Sequence, residues 1–374
     1  MLDHQKLFGQ LEKVSKELFL KFAKEQDIAK TVWNNVKEDE ELCNKVHAKK
    51  YSLLLPKWIG LLGQSKKIDE NLVEYSVLAV DGSQIYYDKH QGPACYLLNV
   101  GSVLLEYKKV KSTVALHSEP SLFIISDDNK QMSSTELINA QREEFELDKA
   151  WQLSFVQQSK NDNKPYVVLF DGSLIFFQLD SKEQDEKQSF LQKYFDCLNK
   201  FYEQKILIAG YMSFPRTKEL VNILKLALAQ FDEHELEHAA ILDQLTDMDV
   251  ASYFLEPGYR SITFQSKAPI SYLYPQPLKP YFCYLHVGSE IVRLEFPAWI
   301  AQQANLVDQI CKVALDQAHK GKGYPVCLFE AHEQAVIKGY DRELFYMMMQ
   351  KMSHNKNFQY KKSLKSLKKQ YVPI

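Results

Sequence analysis

The stretch VLAVDGS, Val77–Ser83, decides the fold class. Four apolar residues, Val77–Val80, run straight into Asp81-Gly82-Ser83. A short apolar run closed by turn residues predicts a buried strand, with a carboxylate exposed at its end where glycine lets the chain turn or a ligand approach. Downstream, CYLLNVGSVLLEY (Cys95–Tyr107) and Ser121–Ser126 predict two more strands with half-buried alternation. Met132–Gln158 predicts a helix, with Ser133 or Ser134 as N-cap ahead of Glu136. Tyr166–Phe170 is again a buried strand and ends in Asp171-Gly172-Ser173. A helix near Phe190–Gln204 and an apolar strand at Lys205–Ala209 follow.

The order strand, strand, strand, helix, strand, helix, strand implies an α/β fold whose mixed sheet begins as an antiparallel meander. An RNase H-like sheet flanked by helices has this order. Further on, Tyr281–Val287 and Glu290–Glu295 predict a strand pair, Ala298–His319 a helix, and Tyr324–Phe329 a strand running into Ala331-His332-Glu333. Upstream, Leu7, Leu11, Val14, Leu18 and Phe22 form one apolar helical stripe, and a second helical stretch spans Val32–Leu55. In open α/β sheets chemistry sits at the carboxyl ends of strands, where Asp81 and Asp171 both lie.

Composition narrows the function classes. With 45% hydrophobic and 25% charged residues among 374, the chain is neither disordered nor fibrous. No apolar run reaches the 18 or more residues of a membrane span, and MLDHQKLFGQLEK lacks a signal-peptide core, so no membrane association is expected. Six scattered cysteines without a CxxC pair predict reduced thiols and a cytoplasmic location. A net charge of −2 gives no global basic field, but the end KKSLKSLKKQYVPI is lysine-rich and suits phosphate contact. Only five arginines, Arg142, Arg216, Arg260, Arg293 and Arg342, occur among 46 lysines and arginines, so each is a candidate for a geometric role.

Two DGS turns after buried strands suggest a shared cation site. Carboxylates are hard oxygen ligands suited to Mg²⁺ or Mn²⁺. Paired metals can clamp the attacking and leaving oxygens of a phosphodiester. On the intervening helix Glu143 and Glu146 are three residues apart and share a face. Lys89 and His90 follow the first turn closely enough to touch phosphate.

AVDGSQIYYDKHQGPACYLLNVGS resembles the opening motif of the NurA-type nucleases. Four later stretches resemble NurA blocks in the same order: Ala209–Leu224, Leu245–Ser261, Tyr284–Ile300 and Gly323–Ile337. The resemblance implies an RNase H-like fold and a manganese-dependent site (Mn²⁺ or Mg²⁺). It implies 5′ to 3′ exonuclease and single-strand endonuclease action on DNA, and a homodimer docked on a HerA-type ATPase, in DNA end processing for repair or defence. Carried over by motif, the metal ligands are Asp81, Glu146 (with Glu143 as runner-up), Asp171 and His332, with Tyr324 beside them in the catalytic set. Arg260 and Arg293, inside matched blocks, are candidates for DNA contact, with carboxylate pairing as the competing use. The expected division is a helical N-terminal extension over 1–75, an RNase H-like NurA nuclease domain over 76–345 and a lysine-rich tail over 346–374.

Three other readings compete. His234-Glu235-Leu236-Glu237-His238 fits the HExxH zinc-peptidase pattern, but acidic Glu237 within it and Asp232-Glu233 before it mark a chance match. An actin-like ATPase shares the RNase H-like architecture and sets Asp-Gly-Ser/Thr turns against nucleotide phosphates. A non-catalytic NurA-like scaffold would keep the carboxylates as relics.

Overall fold

A computed structural model describes residues 2–69, 72–88, 94–125, 134–158, 164–176 and 184–355. The chain divides into two compact units. One comprises Met1–Leu72, Gly172–Asp180 and Ala209–Tyr324; the other comprises Val73–Asp171, Ser181–Ile208 and Pro325–Ile374. Among the described residues no helix is long and apolar enough to cross a membrane.

The first unit opens with α1 (His4–Val36) and α2 (Leu42–His47), followed by β1 (Lys57–Trp58) and β2 (Ser65–Lys67). As the sequence suggests, two helices precede residue 55, but the first runs unbroken to Val36, past the expected start of the second at Val32, because Ala23–Thr31 contains no breaker. Its first half leaves Leu7, Leu11 and Val14 exposed. Its second half buries Ala29, Val32 and Trp33 in a core shared with Leu220, Leu224 and Phe264. Trp33 stacks on Phe254 at 4.7 Å between ring centroids.

The second unit is built on β3 (Tyr75–Ile85), β4 (Cys95–Tyr107), β5 (Thr113–Ile124), α3 (Thr135–Gln158), β6 (Tyr166–Asp171) and α4 (Gln184–Glu203). β3, β4 and β5 form an antiparallel meander, and β6 adds to β3 in parallel. The sheet is mixed, as the element order implies. β5 is longer than its sequence suggests because both its faces are largely exposed, so its polar residues break the apolar alternation. Ser134 caps α3, its Oγ accepting from Leu137 N at 3.3 Å.

Between and beyond these come β7 (Leu207–Met212), α5 (Glu219–Leu228), α6 (Asp247–Ala251), β8 (Tyr259–Ser261), β9 (Phe264–Gln265), β10 (Pro280–His286) and β11 (Ile291–Pro297). Then follow α7 (Ala298–Ala301), α8 (Ala304–Lys320), α9 (Val326–Ala335) and α10 (Gly339–Asn355). In the first unit β10 pairs antiparallel with β8, β9 and β11. Tyr324–Phe329, expected as a strand, instead leads into α9. The apolar run Val326–Phe329 is too short to set its own period, and Pro325 at the helix N-cap directs it into a helix. The HExxH residues form two short 3₁₀ turns rather than one α-helix, and His238 pairs with Glu235.

Candidate active site

The second unit gathers the candidate residues at one end of its parallel strand pair. Val80 of β3 lies opposite Phe170 of β6, so the next residues, Asp81 and Asp171, stand side by side. Adjacent strands are about 4.8 Å apart, and parallel neighbours in register project to the same face.

Each residue of the first Asp-Gly-Ser has a separate role. Asp81 Oδ2 lies 2.8 Å from Nδ1 of His332 on α9, and Oδ1 accepts from Gly82 N at 2.8 Å. A Cβ on Gly82 would meet Glu146 Oε1 at 2.4 Å and Arg142 Cγ at 2.8 Å. Glycine is therefore what lets α3 lower these side chains onto the strand. Ser83 Oγ donates to the carbonyl of Ala335, at the end of α9, at 2.5 Å. Asn99 Nδ2 donates to the same carbonyl at 2.7 Å.

α9 can lie this close because β4 has Gly101 opposite Asp81. A Cβ there would sit 2.3 Å from Ala335 N and 2.5 Å from Ala331 O. Glycine within a strand marks a close backbone approach. Here the approaching backbone is the helix that carries His332.

From the other side, α3 brings Glu146, Glu143 and Arg142. Glu146 is buried and its Oε1 accepts no hydrogen bond, although Arg142 Nη1 is 3.2 Å away. Burial pushes the Glu146 carboxyl up to about 8; Arg142 opposes this, while Asp81, Glu143 and Asp171 add to it. Arg142 Nη2 is 3.9 Å from Glu143 Oε1.

Among the described residues no group of three or more His, Cys, Asp and Glu side chains already stands close enough to hold an ion. The donor set nevertheless suits a hard divalent cation. It offers carboxylate oxygens and one imidazole, and one of those oxygens is buried without a hydrogen bond.

Tyr324 belongs to the first unit, where its ring meets Tyr211 edge-on at 5.7 Å. Arg293 is fully buried there, with Nη1 2.8 Å from Glu219 Oε1 and Nε 2.8 Å from Glu295 Oε1. It is an internal ion-pair residue, not a DNA contact. Arg260 is 7% exposed and forks onto Asp308, with Nε and Nη2 2.8 and 2.7 Å from Oδ1. Carboxylate pairing is therefore its use too, in place of the expected DNA contact. Lys89, His90 and the lysine-rich tail beyond residue 355 lie outside the described residues.

Sequence reasoning gave no role to Ser83, Asn99 or Gly101, and named Arg142 only as one of five scarce arginines. Two signals were available: a glycine interrupting the apolar strand LLNVGSVLL, and an arginine in a chain whose usual cation is lysine.

No curated protein matches this chain. Among solved structures, a crystal structure of NurA is similar over 91% of this chain and 97% of its own, with 11% identity and a TM-score of 0.43. A structure of NurA with manganese is similar over 90% and 96%, at 12% identity and a TM-score of 0.37. One of NurA bound to dAMP and manganese is similar over 90% and 94%, at 12% identity and a TM-score of 0.35. The NurA domain model matches residues 75–337, most of the chain, and the chain belongs to the NurA domain family.

Proposed function

We propose that this protein is a metal-dependent DNA nuclease that hydrolyses phosphodiester bonds, with Asp81, Glu146 and Asp171 as the carboxylates that hold Mn²⁺ or Mg²⁺. The observation that supports the reading is the 2.8 Å contact of Asp81 with His332 at the end of a strand whose parallel neighbour ends in Asp171. A divalent ion held there supplies Lewis-acid stabilisation of charge developing on the scissile phosphate.

The protein's own groups do the rest. His332 donates Nδ1–H to Asp81, which leaves Nε2 as the basic atom able to take a proton from the attacking water and, once protonated, to return it to the leaving oxygen. The Asp81 contact also fixes the tautomer and ring orientation. Ser83 and Asn99 hold the helix that carries the imidazole, so its position is set by backbone rather than by a loop. Phosphate contacts supply most of the DNA affinity, which therefore falls with salt.

Family membership supports the finer reading: 5′ to 3′ exonuclease and single-strand endonuclease action, a homodimer, a cytoplasmic location and a HerA-type ATPase partner in DNA end processing for repair or defence. Tyr324 joins the catalytic set on the same ground.

The test uses the purified full chain with Mn²⁺ and DNA labelled at either the 5′ or the 3′ end. Wild type degrades the DNA, and the label position gives the polarity. Asp81→Asn abolishes cleavage while its circular dichroism and melting temperature stay near wild type. Cleavage by a folded Asp81→Asn chain at the wild-type rate refutes the assignment. Tight ATP binding and no cleavage by the wild type would favour the actin-like ATPase instead.

A further inference from the structure

Arg142 lies one helical turn before Glu146, and its guanidinium sits inside the carboxylate cluster. Nη1 donates to Gly82 O at 2.7 Å. The same atom is 3.2 Å from Glu146 Oε1 and 4.0 Å from Asp81 Oδ1. The placement is built into the fold: the Arg142 stem lies against Gly82, and its Nε is buried without a hydrogen-bond partner.

A divalent cation held by Asp81 and Glu146 would draw on the same carboxylate oxygens. Nη1 already faces both oxygens and carries charge of the same sign. The two cations compete for the same acceptors. Resting on the nuclease reading above, we propose that Arg142 is the resident counter-cation of this site and that a divalent ion must displace its guanidinium from Glu146 in order to bind. Arg142 is then a positioning residue with two opposed effects. It holds the acidic side chains of Asp81 and Glu146 together before the ion arrives, and it weakens the site's affinity for that ion.

Calorimetric titration of the full chain with Mn²⁺ alone tests this, together with melting curves in EDTA and in Mn²⁺. Arg142→Met removes the charge but keeps much of the stem. It is expected to bind Mn²⁺ at least tenfold more tightly than wild type, to melt lower in EDTA, and to gain more from Mn²⁺ than wild type does. Arg142→Lys keeps the charge and stays closer to wild type in affinity than Arg142→Met does. Wild-type or weaker affinity in Arg142→Met overturns the proposal. If Arg142→Met does not fold in EDTA, recovery on adding Mn²⁺ supports the proposal, because the ion replaces the missing charge; failure to recover overturns it. Asp81→Asn separates the two readings. Unchanged Mn²⁺ binding in that variant sinks the metal site itself, whereas loss there with no effect in Arg142→Met sinks only the counter-cation.

Discussion

Gly101→Ala offers a sharp test of how the site is assembled, because the added methyl meets backbone rather than a flexible side chain. Its Cβ would lie 2.3 Å from Ala335 N and 2.5 Å from Ala331 O. Restoring an ordinary separation of about 3.5 Å requires α9 to move by roughly 1 Å relative to β4. His332 travels with the helix. Its 2.8 Å contact with Asp81 would then stretch toward about 4 Å, beyond hydrogen-bond range. The Ser83 and Asn99 bonds to Ala335 O stretch as well. Overpacking costs about 1–3 kcal/mol, and each lost hydrogen bond adds about 1 kcal/mol. With one to three of these bonds lost, the expected destabilisation is about 2–6 kcal/mol, read as a lower urea midpoint at unchanged slope. A misplacement of this size lowers the cleavage rate about 10²-fold, measured where the variant is still folded. Stability within about 0.5 kcal/mol of wild type, with a wild-type rate, would refute the claim that this glycine seats the histidine helix.

Arg293→Met leaves Glu219 and Glu295 buried without their cation, which costs about 3–5 kcal/mol by denaturant unfolding. Because Arg293 is fully buried, the salt dependence of DNA binding by the folded variant stays as in wild type. Ser83→Ala loses one of two donors to Ala335 O and costs about 1 kcal/mol, since Asn99 remains; equilibrium unfolding measures it. Glu146 makes the metal-free protein pH-sensitive. Its carboxyl is raised from 4.5 to about 8 in the folded chain. The folded chain therefore keeps a proton that the unfolded chain has already released. The associated stability is full below pH 4.5 and is lost as pH rises toward about 8. Urea midpoints in EDTA should fall as pH rises from 4.5 to about 8, and Glu146→Gln should flatten that slope.

The second unit's sheet was legible because its strands announce themselves: Val77–Val80 and Tyr166–Phe170 are apolar runs that stop at Asp-Gly-Ser. The helix at Val326–Ala335 was not. Four apolar residues fit a buried strand as well as a buried helix, and the deciding contact is made by β4, more than two hundred residues upstream. Asp81 and Asp171 could be chosen as partners from their strand ends. Arg142 could not be placed from its own neighbourhood, because NAQREEFELD reads as an ordinary charged helix face. Its partner is the carbonyl of Gly82, and only the close packing of α3 on β3 brings them together. Arg260 and Arg293 failed in the opposite direction. Scarce arginine did signal a geometric role, but that role is pairing with Asp308 in one case and with Glu219 and Glu295 in the other.

The repeated tripeptide shows why a motif has to be interpreted through its surroundings. Both copies end a buried strand and place an aspartate beside its counterpart. Their serines then diverge. Ser83 fastens the histidine-bearing helix. Ser173 Oγ instead donates to Glu295 Oε2 at 2.6 Å, and Leu174 N donates to the same oxygen at 2.9 Å. Glu295 is the buried acid paired with Arg293. The glycines diverge too. Gly172 adopts φ +105, where a side chain would be strained, yet a Cβ there would meet nothing within 4 Å. Gly82 keeps ordinary backbone angles but has no room for a Cβ beneath Glu146 and Arg142. One glycine is required by conformation and the other by crowding. Alanine at Gly172 should therefore act through backbone strain, whereas alanine at Gly82 should act by displacing Glu146, the carboxylate on which the metal reading depends.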